Sequence, residues 1–324
     1  MSLLTRPHPV RLAMPVRPLD RSALVPGRFP FHRLIRSRRD FTPGGLALVV
    51  LIGALLWLAA TAVLLLLVGA VRGTFTEVLG DPLGTFVPAE DARAAFVPSA
   101  LSLAAWAPAL LLARRIVPIL PSGFLFSVSG RLRLPLLGRW IGPALGIGAV
   151  TLTVSRALDA FTGAPPALQH VSPDAIWYVL LAVLLVPVAV FGEELLLRAA
   201  VPQLLGAAFR SPWVAYGVPA LLVAAVHAEE GWGMVRAAVL AVAAGWLTWR
   251  TGGVEAAVAL GVAHHGLALI GRELVPVGGV TLAGGTPFAV LLAAGVIAFV
   301  EIDRRRGGVA QGLVNPAPLV RRAY

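Results

Sequence analysis

The stretch Leu46–Val71 reads LALVVLIGALLWLAATAVLLLLVGAV and contains no charged residue. A helix needs about 20 apolar residues to cross the hydrocarbon core of a bilayer, so this stretch predicts a transmembrane helix. Seven further apolar runs follow, at Ser99–Leu112, Ile141–Val154, Ala175–Val190 with an extension to about Phe209, Trp213–His227, Met234–Trp249, Val254–Ile270 and Phe288–Val300. The chain is therefore predicted to be an all-α polytopic membrane helix bundle of about eight transmembrane helices.

The composition supports this fold class. Of the 324 residues, 58% are hydrophobic and 13% are charged, whereas soluble domains are about 45–50% apolar and about 25% charged. A soluble globular enzyme and a disordered chain are both excluded. Because the chain has no cysteine, a disulfide scaffold, a thiolate zinc site and a cysteine nucleophile are excluded as well.

The basic residues are all arginines, which is typical of a genome rich in G and C and favours a bacterial source. If the helices alternate in direction, 21 of the 27 arginines fall on one side and five on the other, together with nine of the acidic residues. Cytoplasmic loops of membrane proteins carry the excess of positive charge. We therefore expect a multi-pass protein of the cell (plasma) membrane with both termini in the cytoplasm. The net charge of +11 then indicates contact with anionic lipids, and nucleic acid is not an expected partner.

Four regions are predicted from this pattern. Residues 1–43 are expected to form a flexible basic cytoplasmic tail, and residues 44–160 the N-terminal transmembrane helices. Residues 170–302 contain the remaining helices and the candidate functional groups. Residues 303–324 are expected to form a second cytoplasmic tail.

Charged groups cluster in the segment 191–198, which reads FGEELLLR. Each charge at membrane depth costs about 2.5–3.5 kcal/mol on insertion scales, so such groups indicate function. Glu194 and Arg198 are four residues apart on one helix face and can pair, whereas Glu193 points about 100° away. One carboxylate is then neutralised by the guanidinium, and the other is free to act as a general base.

Three histidines lie in the apolar runs that follow. His227 ends one run, and His264 and His265 are adjacent within a later one. Adjacent helical residues diverge by about 100°, so one of the pair can face a cavity while the other packs against a neighbouring helix. A site shared by Glu193 and His227 requires equal depth, which favours a fourth helix running to about residue 209 and a fifth starting at residue 212. We expect the resulting cavity to face the cytoplasm.

Three features occur in order: Glu-Glu-x-x-x-Arg, a histidine that ends the next helix, and a polar pair two helices later. This pattern resembles the CPBP family. These are the CAAX protease and bacteriocin-processing (Abi) intramembrane proteases. The first motif is complete at Glu193, Glu194 and Arg198. The second motif, usually Phe-x-x-x-His, is here Val223 to His227.

The third motif of that family, usually His-x-x-x-Asn, departs from the pattern. Its two positions fall on Gly261 and His265. His264 could contribute instead if the helix were rotated or shifted. The resemblance covers roughly residues 175–270 and implies that the helices of 170–302 form a CPBP-like catalytic core.

The resemblance implies an intramembrane endopeptidase of the CAAX prenyl protease type, which hydrolyses a peptide bond with water activated by a glutamate. Glu193 would be the general base, and Glu194 its supporting partner, held by Arg198. His227 would position the water or stabilise the intermediate. His265 is the best candidate for the oxyanion contact. The implied substrate is a membrane-embedded or membrane-anchored peptide.

Three alternatives remain. Glu193, His227 and His265 could supply the three protein ligands of a catalytic zinc, although no His-Glu-x-x-His pair is present, so a mechanism without a cofactor is favoured. Gly261 and Val223 favour a non-catalytic member of the family that acts in bacteriocin immunity or as a membrane scaffold. Buried charges also occur in proton-coupled transporters, but no inverted repeat supports that class.

Overall fold

The structure is a computed structural model that describes residues 29–72, 92–161, 173–228, 231–274, 285–308 and 313–314. Its α-helices are α1 Pro43–Arg72, α2 Ala92–Ile116, α3 Leu134–Phe161, α4 Ala175–Glu194, α5 Val201–Ala208, α6 Pro212–Val226, α7 Trp232–Thr251, α8 Glu255–Leu274 and α9 Gly285–Asp303. A π-helical turn, Leu195–Ala200, joins α4 to α5. Two short strands, β1 Phe29–Pro30 and β2 Leu313–Val314, pair antiparallel.

Within the described ranges, six stretches are long and apolar enough to cross a membrane. They are Pro43–Ala70, Phe96–Ile116, Leu134–Leu158, Ala175–Ala208, Trp232–Thr251 and Gly285–Arg306. Two shorter apolar helices, Pro212–Val226 and Glu255–Gly271, complete the set. These segments follow the order of the apolar runs in the sequence, and the prediction of an all-α polytopic helix bundle is confirmed.

The predicted fourth helix continues past Glu193 and Glu194 to residue 208, close to the predicted end at about residue 209. The span Ala175–Ala208 includes α4, the π-helical turn and α5, and α6 starts at Pro212. Glu193 lies about 22 Å before the end of α5, at 1.5 Å per residue. His227 lies about the same distance after the start of α6. The chain thus brings Glu193 and His227 to similar depth.

One end of the bundle gathers the connections that carry most of the arginines among the described residues. We call it the arginine-rich end; it comprises residues 29–42, 117–139, 203–211, 250–255, 301–308 and 313–314. Val128 N donates to Gly252 O at 2.8 Å, and Val254 N donates to Phe126 O at 3.0 Å. These bonds fasten the α2–α3 connection to the α7–α8 connection.

Ion pairs fasten the same end further. Arg133 binds Glu255 with 2.6 Å between Nη2 and Oε2, and Arg250 binds Glu301 with 2.7 Å between Nε and Oε1. Trp140 Nε1 donates to Asp303 Oδ2 at 3.1 Å. The pairing of β1 with β2 places the chain before α1 beside the chain after α9. The helices therefore alternate in direction, as predicted.

The segment before α1 differs from the predicted flexible tail. Residues 31–37 form a 3₁₀-helix in which Phe31, His32, Leu34, Ile35 and Ser37 are buried. Its apolar side chains join the core formed with α5 and the π-helical turn, and Arg36 Nε donates to Ala207 O at 2.8 Å. The prediction is wrong for this part because a short apolar cluster within a basic segment was sufficient to dock it. Residues 1–28 lie outside the described residues.

Candidate active site

Close packing of α4 against α2 positions the glutamate pair. A Cβ atom at Gly192 would lie 2.2 Å from the carbonyl oxygen of Leu103. Only glycine permits this approach, because a backbone oxygen cannot rotate away as a side chain can. The residue that follows, Glu193, is thereby held on the wall of an internal cavity.

The cavity has a volume of about 590 Å³ and lies among α2, α3, α4, α6, α7, α8 and α9. Its lining includes every residue that the sequence singled out for the site: Glu193, Glu194, Arg198, His227, His264 and His265. These residues come from three separate parts of the chain. The structure brings all of them to one space.

Glu194 and Arg198 form the predicted pair. Glu194 is 4% exposed and Arg198 is 3% exposed, and 3.5 Å separates Arg198 Nε from Glu194 Oε2. Neither of these two atoms has a hydrogen-bond partner among the described residues, and neither does Arg198 Nη1. Buried polar atoms are normally hydrogen-bonded, so such a group calls for an explanation such as a role in catalysis.

Glu193 has a different environment. It is half-buried, it lines the same cavity, and no ion pair to it is found within the described part of the chain. The two neighbouring carboxylates are therefore unequal, as the helical spacing predicted. The π-helical turn begins directly after Glu194, and such turns inside helices are frequent at functional sites.

His227 follows the last residue of α6, and its ring is oriented by its own helix. Nδ1 lies 2.9 Å from the carbonyl oxygen of Val223. A carbonyl oxygen only accepts, so Nδ1 carries the proton, and in the neutral ring Nε2 is an acceptor. A neutral His227 can therefore accept a hydrogen bond from water, which suits positioning of the water better than donation to an oxyanion.

His264 and His265 both line the cavity, although the sequence assigned only one of them to it. Their rings meet edge to face with centroids 4.8 Å apart. His264 is 7% exposed and stacks on Phe288 of α9 at 5.4 Å. Its Nδ1 is buried without a hydrogen-bond partner among the described residues. His265 is exposed, and both rings can reach the cavity.

Gly261 marks the point where the site departs from the family pattern. It lines the cavity, and a Cβ atom there would lie 2.7 Å from Val190 Cγ1. Helix α8 is thus packed tightly against α4 at the position where the family usually has a histidine. A helix contact occupies the place of a polar group, and His264 and His265 are the remaining polar groups of the third motif.

Two cationic residues of the cavity were not among the predicted site residues. Arg156 of α3 and Arg236 of α7 line it, whereas in the sequence they enter only the count of five arginines on the less basic side. Nη1 of Arg236 lies 2.9 Å from where a Cβ of Gly285 would be, so this guanidinium packs against the start of α9. Single arginines at helix ends carry no signal in the sequence that separates a cavity group from a loop group.

The donors present do not fit a zinc ion as they stand. Within the described ranges, no group of three His, Asp or Glu side chains is close enough to hold a metal ion. Glu193, His227 and His265 line one cavity without forming such a group.

Residues 174–267 match the family model described as Type II CAAX prenyl endopeptidase Rce1-like. The matched segment runs from the residue before α4 into α8 and contains all six predicted site residues. It covers less than a third of the chain. No curated protein and no solved structure matches the chain. The resemblance to CAAX proteases drawn from the sequence motifs is confirmed for this segment.

Proposed function

We propose that this chain, whose residues 174–267 match the Rce1-like family, is an intramembrane endopeptidase acting on a membrane-embedded or membrane-anchored peptide. One observation carries the proposal. Glu193 shares a cavity with three histidines, while the adjacent Glu194 is paired with Arg198. The site thus offers one available carboxylate in a space that can hold water and a peptide bond.

In this mechanism Glu193 takes a proton from a water molecule, and the water oxygen attacks the carbonyl carbon of the peptide bond. Nε2 of His227 accepts a hydrogen bond from the other O–H of that water and so orients it. When the carbon–nitrogen bond breaks, Glu193 returns the proton to the leaving nitrogen. Arg198 pairs with Glu194 beside the reacting centre and so keeps the two carboxylates in different roles.

The developing oxyanion requires a hydrogen-bond donor. His265 is exposed at the cavity, and His264 lies beside it. One such donor contributes about 2.7–4 kcal/mol in other enzymes. The pair supplies the donors that the family pattern places at residues 261 and 265.

The test is cleavage of a membrane-anchored peptide by the purified protein, with wild type compared with Glu193→Gln. General-base catalysis contributes about 10²–10⁴-fold, so the variant is expected to lose at least about a hundredfold in kcat/KM. Glu301→Gln is the matched control, because Glu301 pairs with Arg250 and Arg304 outside the cavity. Equal cleavage by wild type and Glu193→Gln would contradict the proposal.

A second candidate is a non-catalytic membrane protein, and the packing at Gly261 favours it, because that contact leaves no space for the usual histidine. Such a protein would keep its cellular phenotype when Glu193→Ala and His227→Ala are combined. Loss of the phenotype in the double variant, with normal protein levels, would support the peptidase.

A further inference from the structure

Each of the four acidic residues in the described part of the arginine-rich end is already paired with an arginine. The pairs are Arg38–Asp40, Arg133–Glu255, Arg139–Asp303, and Glu301 with Arg250 and Arg304. Three further arginines of this end, Arg33, Arg36 and Arg210, have no acidic partner among the described residues. We call these three residues the arginine cluster. The described protein leaves their positive charges unbalanced.

The arginine cluster forms where the 3₁₀-helix at residues 31–37 docks on the connection between α5 and α6. Arg36 Nε donates to Ala207 O at 2.8 Å, and His32 Nε2 lies 3.5 Å from Arg210 O. Burial lowers the pKa of Arg33, and the charges of Arg210 and Arg36 lower it further. Arg33 therefore lies within electrostatic range of both other guanidinium groups, and like charges at such range repel.

The cluster also retains unused hydrogen-bond donors. Arg33 Nε is buried and has no partner among the described residues. Arg36 directs Nε and Nη2 to Ala207 O, which leaves Nη1 available. Buried polar groups are normally hydrogen-bonded, and each exception calls for an explanation such as an unseen ion. A bound anion would satisfy these donors and offset the repulsion.

The start of α6 adds to the positive potential beside Arg210. Ser211 is the N-cap of α6, and its side chain makes no capping hydrogen bond. The first N–H groups of a helix have no partner within the helix, and they attract anions, phosphate above all. Arginine guanidinium groups likewise match the geometry of phosphate oxygens. The donors of the cluster therefore suit a phosphate group.

The cluster lies at the level of a membrane surface. The apolar span Ala175–Ala208 ends two residues before Arg210. Trp213 is 66% exposed, and its ring lies 6.1 Å from that of Trp246 and 5.8 Å from that of Trp249, measured between centroids. Tryptophans are enriched where the hydrocarbon of a membrane meets the headgroups. A phosphate at this depth belongs to a lipid.

We propose that Arg33, Arg36 and Arg210 bind the phosphate group of an anionic membrane lipid. The net charge of the sequence predicts contact with anionic lipids without giving it a place, and the arginine cluster gives one such contact a defined site. The acyl chains then extend along exposed apolar side chains of α6 such as Leu221 and Leu222. This inference does not depend on proteolysis.

The test is thermal unfolding of the full chain, purified in an uncharged detergent and freed of lipid. Phosphatidylglycerol, phosphatidylcholine with the same acyl chains, and inorganic phosphate are each added over a range of concentrations. A ligand that binds the folded state raises the unfolding midpoint, and the concentration dependence gives its Kd. Arg33→Gln/Arg210→Gln removes two charges of the cluster. Arg305→Gln/Arg306→Gln is the matched control, because both residues are exposed at the same end.

We expect phosphatidylglycerol to raise the midpoint of wild type and control at similar concentrations. The cluster variant should bind it at least about tenfold more weakly, since two charge-assisted contacts are lost. Without lipid, the cluster variant should unfold at or above the wild-type temperature, because repulsion between the arginines is relieved. If the double variant does not fold, Arg210→Gln replaces it; that side chain is exposed, and the variant should still lose most of the rise.

Four results would overturn the proposal. Equal weakening in the cluster variant and the control would show only a general attraction to positive charge. An equal rise with phosphatidylcholine would exclude selection of an anionic headgroup. A rise with inorganic phosphate alone, lost in the cluster variant, would assign the site to a free phosphate. A lower midpoint of the cluster variant without lipid, together with an unchanged rise on adding phosphatidylglycerol, would show that the arginines support the fold and bind no lipid.

Discussion

The arginine-rich end and the cavity each contain a buried ion pair, Arg133–Glu255 and Glu194–Arg198, and the two pairs differ in their hydrogen bonding. At the arginine-rich end, both oxygens of Glu255 accept from Arg133, whose Nη1 also donates to Thr251 O at 3.1 Å. In the cavity, Glu194 Oε2, Arg198 Nε and His264 Nδ1 are buried without hydrogen-bond partners among the described residues. The buried pair Arg133–Glu255 is thus fully hydrogen-bonded, whereas the buried pair Glu194–Arg198 is not.

This difference separates stability from function. A buried ion pair with complete hydrogen bonding holds chain segments together, and removing one partner leaves a buried charge. Polar atoms that line a cavity without protein partners are available to water or substrate, and such groups are more frequent at functional sites. Removal of one partner of the Arg133–Glu255 pair should therefore lower stability, and substitutions in the cavity should lower activity.

The largest effect on stability is expected at the arginine-rich end. Arg133→Gln leaves Glu255 buried without its cation, which costs about 3–5 kcal/mol. Thermal unfolding in detergent should show a clearly lower midpoint than wild type. Arg131→Gln is the control, because Arg131 is exposed and surface substitutions usually change stability by less than about 0.5 kcal/mol. Equal midpoints for the two variants would break the comparison.

A smaller effect is expected in the wall of the cavity. Gly261→Ala forces a Cβ to within 2.7 Å of Val190 Cγ1, and overpacking typically costs about 1–3 kcal/mol. The helix must shift, so cleavage should fall along with stability. On the same helix, Gly266 has nothing within 4 Å of an added Cβ, and Gly266→Ala should stabilise by about 0.5–1 kcal/mol through helix propensity. Destabilisation by both alanines would show that Gly261 has no special packing role.

The smallest effect is a dependence of stability on pH at the arginine-rich end. Burial lowers the pKa of His32, which contacts Tyr216 and lies near Arg33 and Arg210. Because the folded state then favours the neutral ring, its stability is fully present above the ordinary pKa of about 6.5 and falls as the pH drops below it. Unfolding midpoints at pH 7.5 and pH 5.5, compared for wild type and His32→Gln, measure this contribution. A decrease of the same size in both proteins would exclude His32 as its source.

The length and order of the apolar runs were sufficient to predict the fold class, because a membrane span requires an apolar stretch of fixed length. The unequal environments of Glu193 and Glu194 also followed from sequence, since helical spacing alone places Arg198 beside only one of them. Spacing along one helix carries no information about contacts between distant helices, however. The close approach at Gly192 and the contribution of Arg236 to the cavity therefore needed the structure.

The 3₁₀-helix at residues 31–37 cannot be predicted from the sequence for a different reason. Its seven residues are too few to show a helical period, and the surrounding arginines suggest a solvated tail. The depth of the cavity in the bundle also needed the structure, because the apolar runs do not show which of their turns face one another. Only the assembled bundle shows that the lining comes from the distal turns of α3, α7 and α9.

The central claim is that the cavity serves chemistry while the Arg133–Glu255 pair at the arginine-rich end serves stability. The most direct test measures peptide cleavage and thermal unfolding on the same preparations of wild type, Glu193→Gln and Arg133→Gln. Glu193→Gln should unfold at or above the wild-type temperature and cleave at least about a hundredfold more slowly. Arg133→Gln should unfold at a lower temperature and cleave at the wild-type rate per folded molecule. Full cleavage by Glu193→Gln at wild-type stability would contradict the account.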